Sequence, residues 1–253
     1  MVATPPIKNA SQIYAPWTHW FLYGDTGSGK TSCASTFPRP IFIVPTDENS
    51  IVTLKGMNID YIEIYGAKGH PRTGGWGLEN AIAWLEQQLN KDPEGFPYDT
   101  VVIEALSHYL DQVQEELSEG NTKQMDQQKW GKLSGHLRNI HSRLRNMDVH
   151  VVFTALVKEE KDAANNATAL PLMSGRMGYM LPSACDVIGY CKERPGKPES
   201  LYDVHFRKYM HFPARSRFRG MPQKVTNFRF DDMLPYVNGV AVAPVVEEPQ
   251  AAQ

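Results

Sequence analysis

A chain of 253 residues, 42% apolar and 21% charged, has an ordinary globular composition and length for one large α/β domain or two small ones. Its net charge of −2 excludes a strongly basic protein, so any contact with nucleic acid must come from local patches. No apolar run reaches 18 residues, which excludes a transmembrane helix.

The N-terminal stretch "MVATPPIKNASQIYAP" holds prolines and no apolar core, so it reads as a flexible segment over residues 1–14 rather than a signal peptide. Trp17 to Tyr23 reads as a strand, followed by a glycine-rich turn and a helix that Pro38 must end. Ile41 to Val44 and Tyr61 to Tyr65 read as short buried strands. Leu78, Ile82, Leu85 and Leu89 then fall at helical spacing. Thr100 to Ala105 is again a buried strand, and Leu106, Leu110, Val113 and Leu117 mark the helix after it.

The strongest helical pattern follows, with Trp130, Leu133, Leu137, Ile140, Leu144 and Met147 stepping by three and four. Val149 to Val157 reads as a central strand. Beyond it, "KEEKDAANNATALPLMSGRMG" is polar and without period, and predicts a long loop. "CDVIGYC" and "SLYDVHFRKY" flank "KERPGKPE" as a hairpin, and "KVTNFRF" offers one more strand. The acidic, Pro/Ala-rich residues 238–253 read as a disordered tail, which leaves one domain over 15–237. Strands separated by helices, with continuous apolar runs, imply an α/β fold with a mostly parallel sheet, helices on both faces and a C-terminal antiparallel extension. Cys33, Cys185 and Cys191 form no CxxC pair and fit small buried hydrophobes in a reducing, cytoplasmic setting.

Gly24-Asp25-Thr26-Gly27-Ser28-Gly29-Lys30-Thr31 matches the phosphate-binding pattern G-x-x-x-x-G-K-[ST] in full. Chance would produce that match in about 1 chain in 100 of this length. The glycines let backbone N–H groups point at phosphate oxygens, and the following helix adds its positive end. Lys30 is expected to reach the β- and γ-phosphates of ATP, and the Thr31 hydroxyl to ligate Mg²⁺. Glu104, at the end of the strand "TVVI", is the candidate metal carboxylate, in a place where most such proteins have Asp. Asp47 and Glu48 lie at the carboxyl edge after "IFIV"; Glu48 is the choice for polarising the attacking water. Thr154 is a candidate γ-phosphate sensor or, equally, a buried Thr bonded to the backbone. His108, His136 and His211 show no metal-ligand spacing and receive no role.

The order of "GDTGSGKT", "IFIVPTDEN", "TVVIEALSHY", "HVVFTALVKEEKD", "LPSACDVIGYC" and "FPARSRFRGMP" resembles the RecA-like P-loop ATPases, and among them the minimal phage-encoded recombinases and single-strand annealing proteins. The resemblance covers roughly Trp20 to Pro222, and only the first motif is specific alone. It implies a homo-oligomer with ATP at the subunit interface, where Arg215 and Arg217 reach the γ-phosphate of the neighbour. Two apart on a strand, they would share one face. It also implies that single-stranded DNA meets two segments, Gly120 to Lys132 and Lys158 to Met180. Lys158, Lys161 and Arg176 would meet the backbone there, with Met173, Met177, Tyr179 and Met180 as wedges.

Two acid-free stretches can also follow a phosphate backbone: Val204 to Phe230 with seven Lys/Arg and Gln127 to Met147 with five. The expected function is ATP-dependent, DNA-stimulated recombination on single-stranded DNA, by annealing or strand exchange, in a filament or ring, with a single-strand-binding protein as a candidate partner and no membrane. The alternatives are a P-loop ATPase that loads or switches a protein without touching DNA, and a ring helicase or packaging motor.

Overall fold

Val, Ile and Phe crowd the short runs between turns, and in the computed structural model these runs become strands buried on both faces. The structure describes residues 16–45, 52–68, 76–118, 125–161, 165, 167–196 and 200–239. In chain order the strands are β1 (His19–Gly24), β2 (Pro40–Pro45), β3 (Asp60–Ile64), β4 (Thr100–Ile103), β5 (His150–Lys161), β6 (Ala167–Pro171), β7 (Val187–Arg194), β8 (Leu201–His205), β9 (Arg215–Ser216) and β10 (Lys224–Thr226). Their order across the sheet is β10-β8-β7-β1-β5-β4-β2-β3, with β6 paired to β5 and β9 paired to β7. From β7 to β3 every pairing is parallel; β6, β8, β9 and β10 join antiparallel.

The period of two along each strand separates two cores. Phe21, Tyr23, Ile41, Ile43, Val101, Ile103, Val151 and Phe153 face one side. There they meet α2 (Leu78–Lys91), α3 (Leu106–Ser118), α4 (Gln127–Arg145) and α5 (Met177–Ala184). Trp20, Leu22, Phe42, Val44 and Val102 face the other side, with α1 (Lys30–Ala34) and the chain after β10. Trp20 anchors that second core edge-to-face against Phe37, Phe206, Phe228 and Phe230. Its indole N–H donates to the Thr18 hydroxyl at 2.7 Å. Truncating so large a buried ring to Ala costs about 3–5 kcal/mol.

The fold class is as the patterning predicts: an α/β protein with a mostly parallel central sheet, helices on both faces and an antiparallel extension built on the β7–β8 hairpin. Several details differ. The segment after Val157 is not a long loop: β5 continues to Lys161, and β6 returns beside it from Ala167 to Pro171. Polar side chains on both faces hid that hairpin, because its outer half projects beyond the core. β3 is an edge strand and mostly exposed, so the expected burial of Tyr61 to Tyr65 does not hold. Of "KVTNFRF" only Lys224–Thr226 is strand. The 1–14 segment, and the 238–253 tail beyond Gly239, lie outside the described residues. Among the described residues no helix is long and apolar enough to cross a membrane.

Candidate functional site

The parallel strands end together at one edge, and the loop after β1 emerges there. Gly24 pairs with Leu156 on one side and Cys191 on the other. A Cβ at Gly24 would lie 2.2 Å from the Cys191 carbonyl oxygen, so no side chain fits at the first position of the loop. Gly29 has φ +83, and the Tyr202 ring lies 2.8 Å from where its Cβ would be. Both conformation and space therefore demand glycine. Ser28 N–H donates to Asp25 O, closing the turn, and Cys33 N–H to Gly29 O opens α1. α1 holds five residues only, so the field at the loop comes from its own amides more than from a long helix dipole.

The loop forms one wall of a cleft of about 530 Å³. Thr26 to Ser32 line it, with Thr53, Glu104, Ala105, His108, Leu156 and Tyr202. Lys30 is buried, and its ammonium donates to Gly24 O at 3.0 Å, Asp25 O at 2.6 Å and Ser28 Oγ at 3.3 Å. Burial lowers its pKa; nearby Cys191, Glu104 and Asp25 oppose that shift. An ammonium held on neutral carbonyls in a cleft is a receptor for an anion.

Glu104 follows β4 directly, and its Oε1 accepts from the Thr31 hydroxyl at 2.9 Å. That bond brings together the two residues assigned to the metal from sequence, 73 positions apart. Glu104 is buried, and burial raises its pKa; Thr154, Thr31, Lys30 and His108 pull it back down. Its Oε2 and the fully buried Thr154 hydroxyl beside it make no well-formed hydrogen bond, though Thr154 lies near enough to favour the charged carboxylate. An orphaned carboxylate oxygen next to a hydroxyl is a set of hard oxygen donors and fits Mg²⁺. Thr154 therefore sits behind Glu104, without the backbone bond that was the alternative reading.

Glu48 and Asp47 lie outside the described residues. Arg215 and Arg217 lie far from the loop of their own chain, because β9 pairs with Val187 and Ile188 at the opposite end of β7. β9 ends at Ser216, so the two arginines do not share a regular strand. They converge all the same: both donate to Ser183 O, at 2.7 and 3.0 Å, where α5 ends. Arg217, half exposed, also pairs with Asp186 at 3.5 Å.

Of the four wedge side chains, Met177 is core and Met173 and Met180 pack against it; Tyr179 is 63% exposed. Lys158 pairs with Glu160 on the β5–β6 hairpin. The base of that hairpin is tied to the cleft. The Leu156 N–H donates to Ser107 Oγ at 3.0 Å, and the Leu172 N–H to Leu156 O at 2.7 Å. Thr53, His108 and Tyr202 are cleft residues to which sequence reasoning gave no role; the signal for His108 was its closeness in the chain to Glu104.

Residues 18–218 match the family model of an AAA domain, AAA_24. No curated protein matches the chain at a significant level. Among solved structures, a KaiC-like protein from the hyperthermophilic archaeon Pyrococcus horikoshii OT3 is similar at 14% identity and a TM-score of 0.45, over 83% of this chain and 88% of that one.

Proposed function

The chain belongs to the AAA domain family of P-loop ATPases, and from that premise we propose that it binds and hydrolyses ATP to control its grip on single-stranded DNA, as a filament or ring, in strand annealing or exchange. The observation that carries this reading is the hydrogen-bonded path Ser107–Leu156–Leu172, which joins the wall holding Glu104 to the projecting β5–β6 hairpin. A nucleotide that pulls on Glu104 and Thr31 has a mechanical route to that arm. The acid-free helix α4, with five Lys/Arg, supplies cationic surface for a phosphate backbone in a chain whose net charge is slightly negative.

In this reading the loop amides and Lys30 hold the phosphates. Thr31 and Glu104 would hold Mg²⁺, which when bound offsets the charge of the phosphate oxygens. Glu48 orients the attacking water. Arg215 and Arg217 act on the cleft of the next subunit, and their place at the far end of the sheet supports a role between subunits over one within a chain.

The test is ATP hydrolysis with and without single-stranded DNA, at about 50 mM salt where phosphate contacts are strongest. Stimulation together with DNA retention is expected; absence of both sinks the DNA reading. Lys30→Ala should abolish hydrolysis, which tests the site and not the role. A second reading, a switch acting on protein, draws on one feature: Val52, Met57 and Tyr61 are exposed around an apolar groove beside β3. Hydrolysis stimulated by a protein and indifferent to DNA would select it.

A further inference from the structure

We propose that His108 contacts the terminal phosphate of the bound nucleotide and gives the cleft its preference for ATP over ADP. This rests on the nucleotide reading of the cleft given above.

In the cleft, Lys30 and the Thr31–Glu104 hydrogen bond mark where the end of a phosphate chain and its counter-ion belong. The Tyr202 ring, packed on Gly29, lines the cleft as well. His108 lines the cleft with Glu104 and Ala105, close enough to Glu104 for the two to interact electrostatically. Among the described side chains lining the cleft, Lys30 and His108 are the two that carry nitrogen donors. Lys30 opens α1, and its ammonium lies on the loop carbonyls of Gly24 and Asp25. His108 comes from α3, so the two donors reach the cleft from different elements.

The placement of His108 is rigid. Its neighbours Leu106, Ser107 and Tyr109 are buried, and Ser107 is bonded to Leu156 N–H. A side chain fixed on a packed helix start can select between ligands differing by one phosphoryl group, since no loop has to be ordered first. The imidazole is also near enough to Glu104 and Asp111 to interact electrostatically with both. A terminal phosphate offers it an anionic acceptor that ADP does not supply at that position. A donor to a charged phosphate oxygen is worth about tenfold or more in affinity.

The experiment measures binding of a non-hydrolysable ATP analogue and of ADP, each with Mg²⁺, by calorimetry. The proteins are the wild type, His108→Ala, His108→Gln and Lys30→Ala, each first checked for a cooperative thermal melt. His108→Ala should weaken the analogue about tenfold or more while ADP changes less than about twofold. His108→Gln keeps a side-chain N–H and should recover most of the loss. If His108→Ala does not melt cooperatively, His108→Phe, which keeps a ring and removes the N–H, replaces it with the same expectation.

Equal weakening of analogue and ADP, or no change in either, overturns the assignment while the nucleotide site stands. So does a Gln variant no better than Ala. No nucleotide binding by the wild type overturns the reading of the cleft itself, and this assignment with it. Lys30→Ala losing both ligands shows that the binding measured is that of the cleft.

Discussion

Replacing Glu104 by Gln should make the protein more stable and inactive at once. Glu104 is buried with one carboxylate oxygen bonded to Thr31 and the other making no well-formed hydrogen bond. Burial raises its pKa above the ordinary 4.5, so the folded state holds this proton more tightly than the unfolded chain does. As pH rises above 4.5 the unfolded chain releases the proton first, and stability falls until the folded carboxyl has also ionised. At neutral pH Glu104 is therefore a net cost.

A Gln side chain of the same shape removes the charge and keeps the acceptor for Thr31. It also places an NH₂ beside the orphaned Thr154 hydroxyl. Relieving an unsatisfied buried acceptor is worth about 2 kcal/mol, which for a chain of this size raises Tm by roughly 4–8 °C. The assay is a thermal melt in EDTA at neutral pH, repeated near pH 4 where the advantage should shrink, beside a measurement of ATP hydrolysis with Mg²⁺. A variant that melts at or below the wild type at neutral pH would refute the view that Glu104 is held in a strained, metal-ready state.

Further outcomes are specific to single positions. Gly24→Ala should destabilise by about 3 kcal/mol or abolish nucleotide binding, because its methyl group would lie 2.2 Å from the Cys191 carbonyl; a soluble, fully binding variant contradicts the close approach. Arg217→Ala should abolish hydrolysis by the assembled protein while shifting the melt of the chain by under about 1 kcal/mol, since its ion pair with Asp186 is half exposed. Hydrolysis that survives removes the role between subunits. His19 and His150 are buried with pKa values lowered by burial to about 4, so both stay neutral in the fold when the unfolded chain protonates near 6.5. Stability should therefore fall by several kcal/mol as pH drops from 6.5 to 4, and His150→Gln should flatten part of that slope.

Much of the site was legible in sequence because its parts are local. "GDTGSGKT" needs a strand before it and a turn of helix after it, and both are neighbours in the chain. Glu104 was legible by position, as the residue after a continuous apolar strand. The β5–β6 hairpin was not legible, because a strand pair that projects into solvent has no apolar alternation to reveal it. Met177 was misread as a wedge for the opposite reason. An apolar side chain in a polar segment looks exposed until the helix that carries it packs on the sheet.

His108 shows the same limit at the site itself. Metal-ligand spacing gave it no role, whereas the fold makes it line one cleft with Glu104 and the loop after β1. The sequence by itself determined most of the parallel core strands and the glycine turn, because short-range sterics and burial periodicity suffice for these. Only the tertiary structure decided that Thr31 reaches Glu104, that Thr154 stands behind it, and that Arg215 and Arg217 lie at the far end of the sheet. Strand order sets those distances, and strand order is a property of packing between segments far apart in the chain.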